Sequence, residues 1–394
     1  MKWRIAKRIV VITLACIFAF TLIVNRAGCV SSGNGEIQVG VYYYIWWGLP
    51  PPYINHWKEG VKYTPFLGEY NSSDPSVADK HIVWAKQHGV DFFAVSWLGR
   101  WSWWDHRCID NNLKQGLLKA EHLDNFKFCL FYESVIVLNA TLYAKENFTK
   151  IFIEDIEYAA ENYFSHPSYL KINGKPALFI YNIPYIYGKL GTTKAQKLFD
   201  ALRKRIDPYL VGDLCGGPSP PSVNSPWLYS MNAVTSYFFL SPSNNWGTIL
   251  NEARSRYPEW KSSMNSIGIG FIPNAYPGFD NTEHMQQGAL LPLSQSNFEE
   301  MMRIALENVD DNLKMVMVTS WNEWLESTSI EPSMEHGEDF LHTVLEVKQT
   351  VDMDTIDEEN GSEVYDCAVY VAAGVVLGII LGSLVTFAVS KKRR

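Results

Sequence analysis

Val316-Met317-Val318-Thr319-Ser320-Trp321-Asn322-Glu323-Trp324-Leu325-Glu326-Ser327-Thr328-Ser329-Ile330-Glu331-Pro332 begins as an apolar, β-branched run and breaks directly into aromatics, amides and two carboxylates three residues apart. A barrel strand delivers acids to a pocket in this way, from its carboxyl end. Paired carboxylates beside Trp and Asn are what glycosidic bond cleavage needs. One group protonates the leaving oxygen, one assists at the sugar ring, and flat apolar faces hold the pyranose. The competing reading is a solvated loop whose acids cap the next helix. Trp321 and Trp324 would be odd residues for such a turn.

Working outward, Met315 to Ser320 is the last of eight apolar runs rich in β-formers. The others are Ile37 to Trp47, Val90 to Trp97, Phe126 to Tyr132, Ala177 to Tyr181, Tyr209 to Leu214, Ala233 to Phe239 and Ile267 to Ile272. Between them the period is helical, over Asp74 to His88, Asp110 to His122, Tyr143 to Tyr163, Thr193 to Arg205, Asn245 to Trp260 and Ser296 to Asn308, with Glu335 to Thr350 after the last strand. The link after Leu214 is Pro-rich, so any helix there is short. Strands that are apolar throughout, alternating with helices, predict an α/β fold with a parallel sheet covered on both faces. Eight such units suit a (β/α)8 TIM-type barrel over residues 36–350. A doubly wound open sheet is the runner-up. It is weakened because the first strand ends in Tyr42-Tyr43-Tyr44-Ile45-Trp46-Trp47-Gly48 and not in a Gly-rich phosphate turn.

The two ends read differently. Residues 1–35 carry a basic start and an uncharged run from Ile9 to Val24, the pattern of a signal peptide or signal anchor. Residues 351–366 read as an acidic stalk, 367–390 as an uncharged transmembrane helix, and Lys391 to Arg394 as a cytoplasmic basic stop. The expectation is a cell-membrane protein whose barrel faces away from the cytoplasm. Nine of the 34 basic residues lie before position 36 or after position 390 and none of the 42 acidic ones does, so 25 bases meet 42 acids between those points, a net charge of −17. Phosphate backbones are poor partners for that surface, and no nucleic acid is expected. Of the cysteines, Cys108, Cys129 and Cys215 fall in the barrel region. They suggest no disulfide framework and no zinc pair, although one pairing among them is open.

If the site forms at the carboxyl ends of the strands, the sequence nominates a consistent set. Tyr44, Trp46 and Trp47 follow the first strand, while Trp97 ends the second, ahead of Trp101, Trp103 and Trp104. Glu133 follows the third, Tyr237 the sixth, and Asn322, Glu323 and Glu326 the eighth. So many tryptophans at loop positions are not expected all to be buried, and their faces suit the C–H side of a sugar. Glu133 has a structural ion pair as its alternative. No GxSxG elbow, HExxH pair or Walker loop is present, and no cofactor or metal is expected. His81 and His88 are expected to solvate their helix.

These residues carry a family resemblance. YYYIWWG with Asn55-His56-Trp57, PFLGEYNSSDPSVADKHIVWAKQHGVDFFAVSW, FKFCLFYES, HPSYLKINGKPALFIYN, TSYFFLSPSNNW, IGFIPNAYPGFDNT and TSWNEWLESTSIEP together resemble glycoside hydrolase family 99, the endo-α-1,2-mannosidase and mannanase family, from Val41 to Ser333. The resemblance implies a retaining enzyme whose catalytic pair is Glu323 and Glu326, with Glu133 contacting sugar. It also implies that Glu323 acts as base on the sugar's own 2-hydroxyl, giving a 1,2-anhydro intermediate, while Glu326 serves as general acid and then base. Leu325 and Ser327 stand where the mannosidases carry His and Gly. The expected partner is an oligo- or polysaccharide, with a membrane reached through the C-terminal helix. A catalytically silent glycan-binding protein and a transglycosylase are the alternatives.

Overall fold

Strands covered on both faces have no polar side to alternate with, and the eight apolar runs become parallel strands of that kind. In the computed structural model, which describes residues 36–100, 106–215, 217–238, 244–285 and 288–351, they are β1 (Gln38–Tyr43), β2 (Phe92–Trp97), β3 (Lys127–Tyr132), β4 (Lys175–Ile180), β5 (Tyr209–Asp213), β6 (Ala233–Thr235), β7 (Gly270–Ile272) and β8 (Met315–Val318). Every residue of β2 and of β8 is buried. From β1 to β7 each strand pairs with the next in chain order, and β8 returns to β1 with Gln38 opposite Met315 and Val41 opposite Val318. Gly40 in β1 is required by packing, because a Cβ there would lie 2.1 Å from the Phe92 ring.

The ring closes through a break. Pro273 has no N–H to give a ladder, so β7 stops at Ile272 against β6. The next two residues, Asn274 and Ala275, pair with Met317 and Val318 of β8 instead. Carbonyls of Pro273 and Ala275 accept from the N–H groups of Met317 and Thr319, at 2.9 Å each. An open sheet is thereby excluded.

Outside the strands run α1 (Pro75–Gln87), α2 (His106–Gln115), α3 (Ser134–Tyr143), α4 (Phe148–Asn162), α5 (Ile183–Leu190), α6 (Thr192–Arg205), α7 (Trp246–Asn265) and α8 (Gln295–Glu307), with a last helix over residues 339–351. Their starts follow the capping residues. Asp74 accepts from the Ser76 N–H at 2.9 Å ahead of Pro75, and Asn147, Asn245 and Ser294 cap α4, α7 and α8 in the same way. The segment Tyr143 to Tyr163, read as one helix, instead takes in the end of α3, a turn with Lys145 at φ +57° and α4. Among the described residues after β5 only a short 3-10 turn, Leu228–Ser230, precedes β6.

His81 and His88 correct the expectation that they solvate α1. Both are buried, His81 between Tyr43 and Glu331 and His88 against Glu338. Cys108, Cys129 and Cys215 are free thiols. Among the described residues no helix is long and apolar enough to cross a membrane. The expected N-terminal segment, the stalk beyond Val351, the spanning helix at 367–390, the basic tail, and Trp101, Trp103 and Trp104 all lie outside the described residues.

Candidate active site

Past β8 the chain cannot continue as a strand, and residues 319–338 are tied to the end of β1. The Trp321 N–H donates to the Tyr42 carbonyl at 2.7 Å. Asn322 then behaves like a piece of backbone: its Oδ1 accepts from the Tyr44 N–H at 2.7 Å and its Nδ2 donates to the Tyr44 carbonyl at 2.8 Å. Next, Glu323 is fixed by its own N–H on Ser320 Oγ at 2.8 Å, and its carboxylate accepts from the Leu325 N–H at 3.1 Å. Below this turn Glu331 accepts from the hydroxyl of Tyr70 at 2.7 Å and from the indole of Trp324 at 3.3 Å, and meets His81 at 3.0 Å. The acid-bearing segment therefore rests on a fully buried polar network.

Above it the acids gather round two tyrosines. The Tyr44 hydroxyl donates to that of Tyr237 at 2.7 Å. Burial pushes the Tyr44 phenol well up, and the carboxylates of Glu133, Glu323 and Glu326 push it further. All three acids are therefore close enough to act on one hydroxyl. Glu133 takes a 2.8 Å hydrogen bond from Ser96 Oγ and is pushed up to about 8, chiefly by burial. Burial likewise raises Glu326 to about 7, while the Tyr237 hydroxyl offers it a hydrogen bond that pulls the other way. Its Oε2 is buried without a partner. Glu323 is raised well above the ordinary carboxylate value by burial first and Glu326 second. Two buried carboxyls in that relation favour sharing one proton.

Tyr44, Tyr237, Glu133, Glu323 and Glu326 thus come together, with half-buried Trp46 beside Tyr44, ring centroids 4.6 Å apart. Among the described residues three of the nominated ones, Asn322, Trp97 and Trp47, do not join them. Asn322 spends its amide on Tyr44. Trp97 is fully buried, with its indole N–H on Asp110 at 3.0 Å and its face stacked on Tyr158. Among the described residues the expectation that the loop tryptophans are not all buried holds through half-buried Trp46, but most of the others turn inward. Trp47, Trp57 and Trp324 pack with Tyr70 and Leu325 into a small second core, and Trp321 packs on Phe93 and His81. The sequence reading missed Asp213, although it stands at the end of β5, where the strand-end rule should have found it. It also missed Ser96 and the network of Glu331.

Ser327 shows what the departure from Gly costs. Its φ is +53°, in the left-handed region, and its buried Oγ has no partner. Ser327→Gly is expected to stabilise the fold by about 1–2 kcal/mol, as relief of the Cβ clash and the orphan hydroxyl exceeds the extra backbone entropy. A higher urea midpoint at unchanged slope checks this, and a lower midpoint contradicts it.

Buried acids also set a pH dependence. Glu133 is raised to about 8, and Asp213, Asp155 and Glu326 to about 7, burial being the main cause in each case. The folded chain then binds more protons than the unfolded one. Stability is fully present below the unfolded carboxylate values near 4 and is lost as pH rises through 7 to 8. Melting is expected several degrees lower at pH 8.5 than at pH 5.5, with a shallower fall in Glu133→Gln. A melting temperature that rises over this interval would contradict the assignment.

Comparison with known proteins places this geometry. The model of glycosyl hydrolase family 99 matches residues 54–348. Glycoprotein endo-α-1,2-mannosidase of Mus musculus is 22% identical over 344 residues, covering 74% of this chain and 67% of that protein. Its Xenopus laevis counterpart is 23% identical over 75% of this chain and 69% of its own length. Among solved structures, the family 99 endo-α-mannosidase of Bacteroides thetaiotaomicron superposes with a TM-score of 0.62 at 21% identity, covering 80% of this chain and 97% of that one. A structure described as a glycoside hydrolase-like protein gives 0.63 at 18% identity, covering 80% and 94%. With the family match spanning most of the barrel, the chain belongs to glycosyl hydrolase family 99, and the barrel is a glycosidase catalytic domain.

Proposed function

We propose that this protein is a membrane-anchored, outward-facing, retaining endo-glycosidase that hydrolyses α-mannoside-type glycans, with Glu323 and Glu326 as its catalytic pair. The observation that carries the reading is Glu326, raised to about 7 beside Glu323 and keeping a buried Oε2 unpartnered. A group near 7 is well poised to give a proton to a leaving oxygen and take one from water. Glu323, the neighbouring carboxyl, serves as the base in its ionised form. It removes the proton from the sugar's 2-hydroxyl, whose oxygen attacks the anomeric carbon as the leaving oxygen takes the Glu326 proton. Water, deprotonated by Glu326, then opens the anhydro ring at the anomeric carbon, and Glu323 returns its proton to the 2-oxygen. Two inversions give net retention.

The mannoside class is supported by the mouse and Xenopus relatives, whose names state endo-α-1,2-mannosidase activity. Tyr44, Trp46, Glu133 and Tyr237 are the proposed sugar contacts. Trp97 and Asn322 serve by positioning them: Trp97 through its carbonyl, which accepts from the Glu133 N–H at 3.0 Å, and Asn322 through Tyr44. Digestion of a defined glycan panel tests the reading. Release of α-linked mannose-containing fragments by the unmutated chain supports it. Binding of every glycan with cleavage of none would favour a binding module instead.

The anchor rests on the uncharged run 367–390 and the basic stop beyond it. Protease added to intact cells is expected to digest the barrel and leave a membrane fragment carrying Lys391 to Arg394. Cleavage of that tail from outside would reverse the topology.

A further inference from the structure

On the outer, helical layer, α1 ends against the last helix, and three metal-binding side chain types meet there. Glu338 and His342 are one turn apart, with the His342 N–H on the Glu338 carbonyl at 2.9 Å, so both side chains share a face. His88, just past α1, meets that face. Its ring centroid is 4.9 Å from that of His342, and its Nε2 is 3.5 Å from Glu338 Oε2. One ligand atom from each of the three lies within 4.8 Å of the others.

The proton arrangement suits a metal. His88 Nδ1 contacts the Trp84 carbonyl at 2.9 Å. A carbonyl only accepts, so the proton of the neutral ring sits on Nδ1 and Nε2 turns its lone pair toward Glu338 and His342. A second hydrogen bond of this kind is what orients metal-ligating histidines and fixes their tautomer. An ion pair alone would account for His88 and Glu338, but it gives no role to the His342 ring, whose centroid is 4.9 Å from that of His88.

We propose that His88, Glu338 and His342 form a binding site for a divalent transition-metal ion of the zinc type, with water at a fourth position. Two imidazoles and a carboxylate are the donor set such an ion takes. A tetrahedral ion at about 2.0–2.1 Å from each ligand holds the ligand atoms about 3.3–3.5 Å apart. The His88–Glu338 pair is already at that spacing. Exposed His342 and partly exposed Glu338 close the remainder by side-chain rotation, while His88 stays fixed in its buried position. The site would act as a clasp. Residues 319–338 carry the acids, and α1 already grips them through His81 on Glu331 at 3.0 Å. A metal adds a second grip where that segment enters the last helix.

The test uses the full-length chain, stripped with chelator and titrated with zinc, and with cobalt as a spectroscopic probe. The expected result is one zinc per chain by equilibrium dialysis, a melting temperature several degrees higher with zinc than without, and a tetrahedral cobalt spectrum. His342→Ala and Glu338→Gln, both at the surface, are expected to melt like the parent without metal yet bind zinc at least about tenfold more weakly. Absence of saturable zinc binding overturns the proposal. So does binding that is unchanged in both variants, which would place the ion elsewhere.

Discussion

Glu326→Gln and Glu323→Gln are each expected to lower turnover of a cleavable glycan by about 10²–10⁴-fold, with glycan binding and fold retained. The amide fills the same space but neither gives nor takes the catalytic proton. Glu323 is buried, half-buried Glu326 has its Oε2 covered, and both are raised, so each substitution also removes a group that is costly to ionise inside the protein. Melting at neutral pH should therefore hold or rise as activity falls, the usual trade between a strained site and stability. Single-turnover rates, a binding isotherm for the same glycan and a melting curve on each variant check the three parts. Near-parental turnover in either variant would remove that acid from the mechanism.

Loss of the substrate's own 2-hydroxyl should be as damaging as loss of an acid. A glycan with a 2-deoxy sugar at the reacting position is expected to bind beside Tyr44 and Tyr237 and not be cut. A site can hold a ground state without the group it uses in the transition state. If Glu323 attacked the anomeric carbon directly, the 2-deoxy substrate would still be cleaved, and a glycosyl adduct would appear by mass on Glu323. That adduct would replace the 2-hydroxyl route with a covalent one while leaving the pair of acids in place.

Much of this was legible in the chain because it depends on short-range pattern. The eight strands are apolar throughout, since both their faces are covered, and Glu323 and Glu326 follow the last of them directly. What was not legible depends on pairings between distant residues. Asn322 looks like a sugar ligand until Tyr44, 278 positions earlier, is seen to occupy its amide. His81 looks like a solvated helix residue until Glu331, 250 positions away, is found against it. Trp47, nominated as a platform, turned inward because the loop after β1 and the turn after β8 build a second core between themselves. Pro273 is visible in the sequence, but that it hands the seventh strand from one neighbour to the other is visible only in the pairing.

Time-resolved NMR of the first sugar anomer released from an α-mannoside-type glycan is the most direct measurement. Two successive inversions through Glu323, Glu326 and the 2-hydroxyl predict the α anomer first, with β appearing only as mutarotation proceeds. The β anomer as first product would contradict a retaining mechanism on this pair of acids.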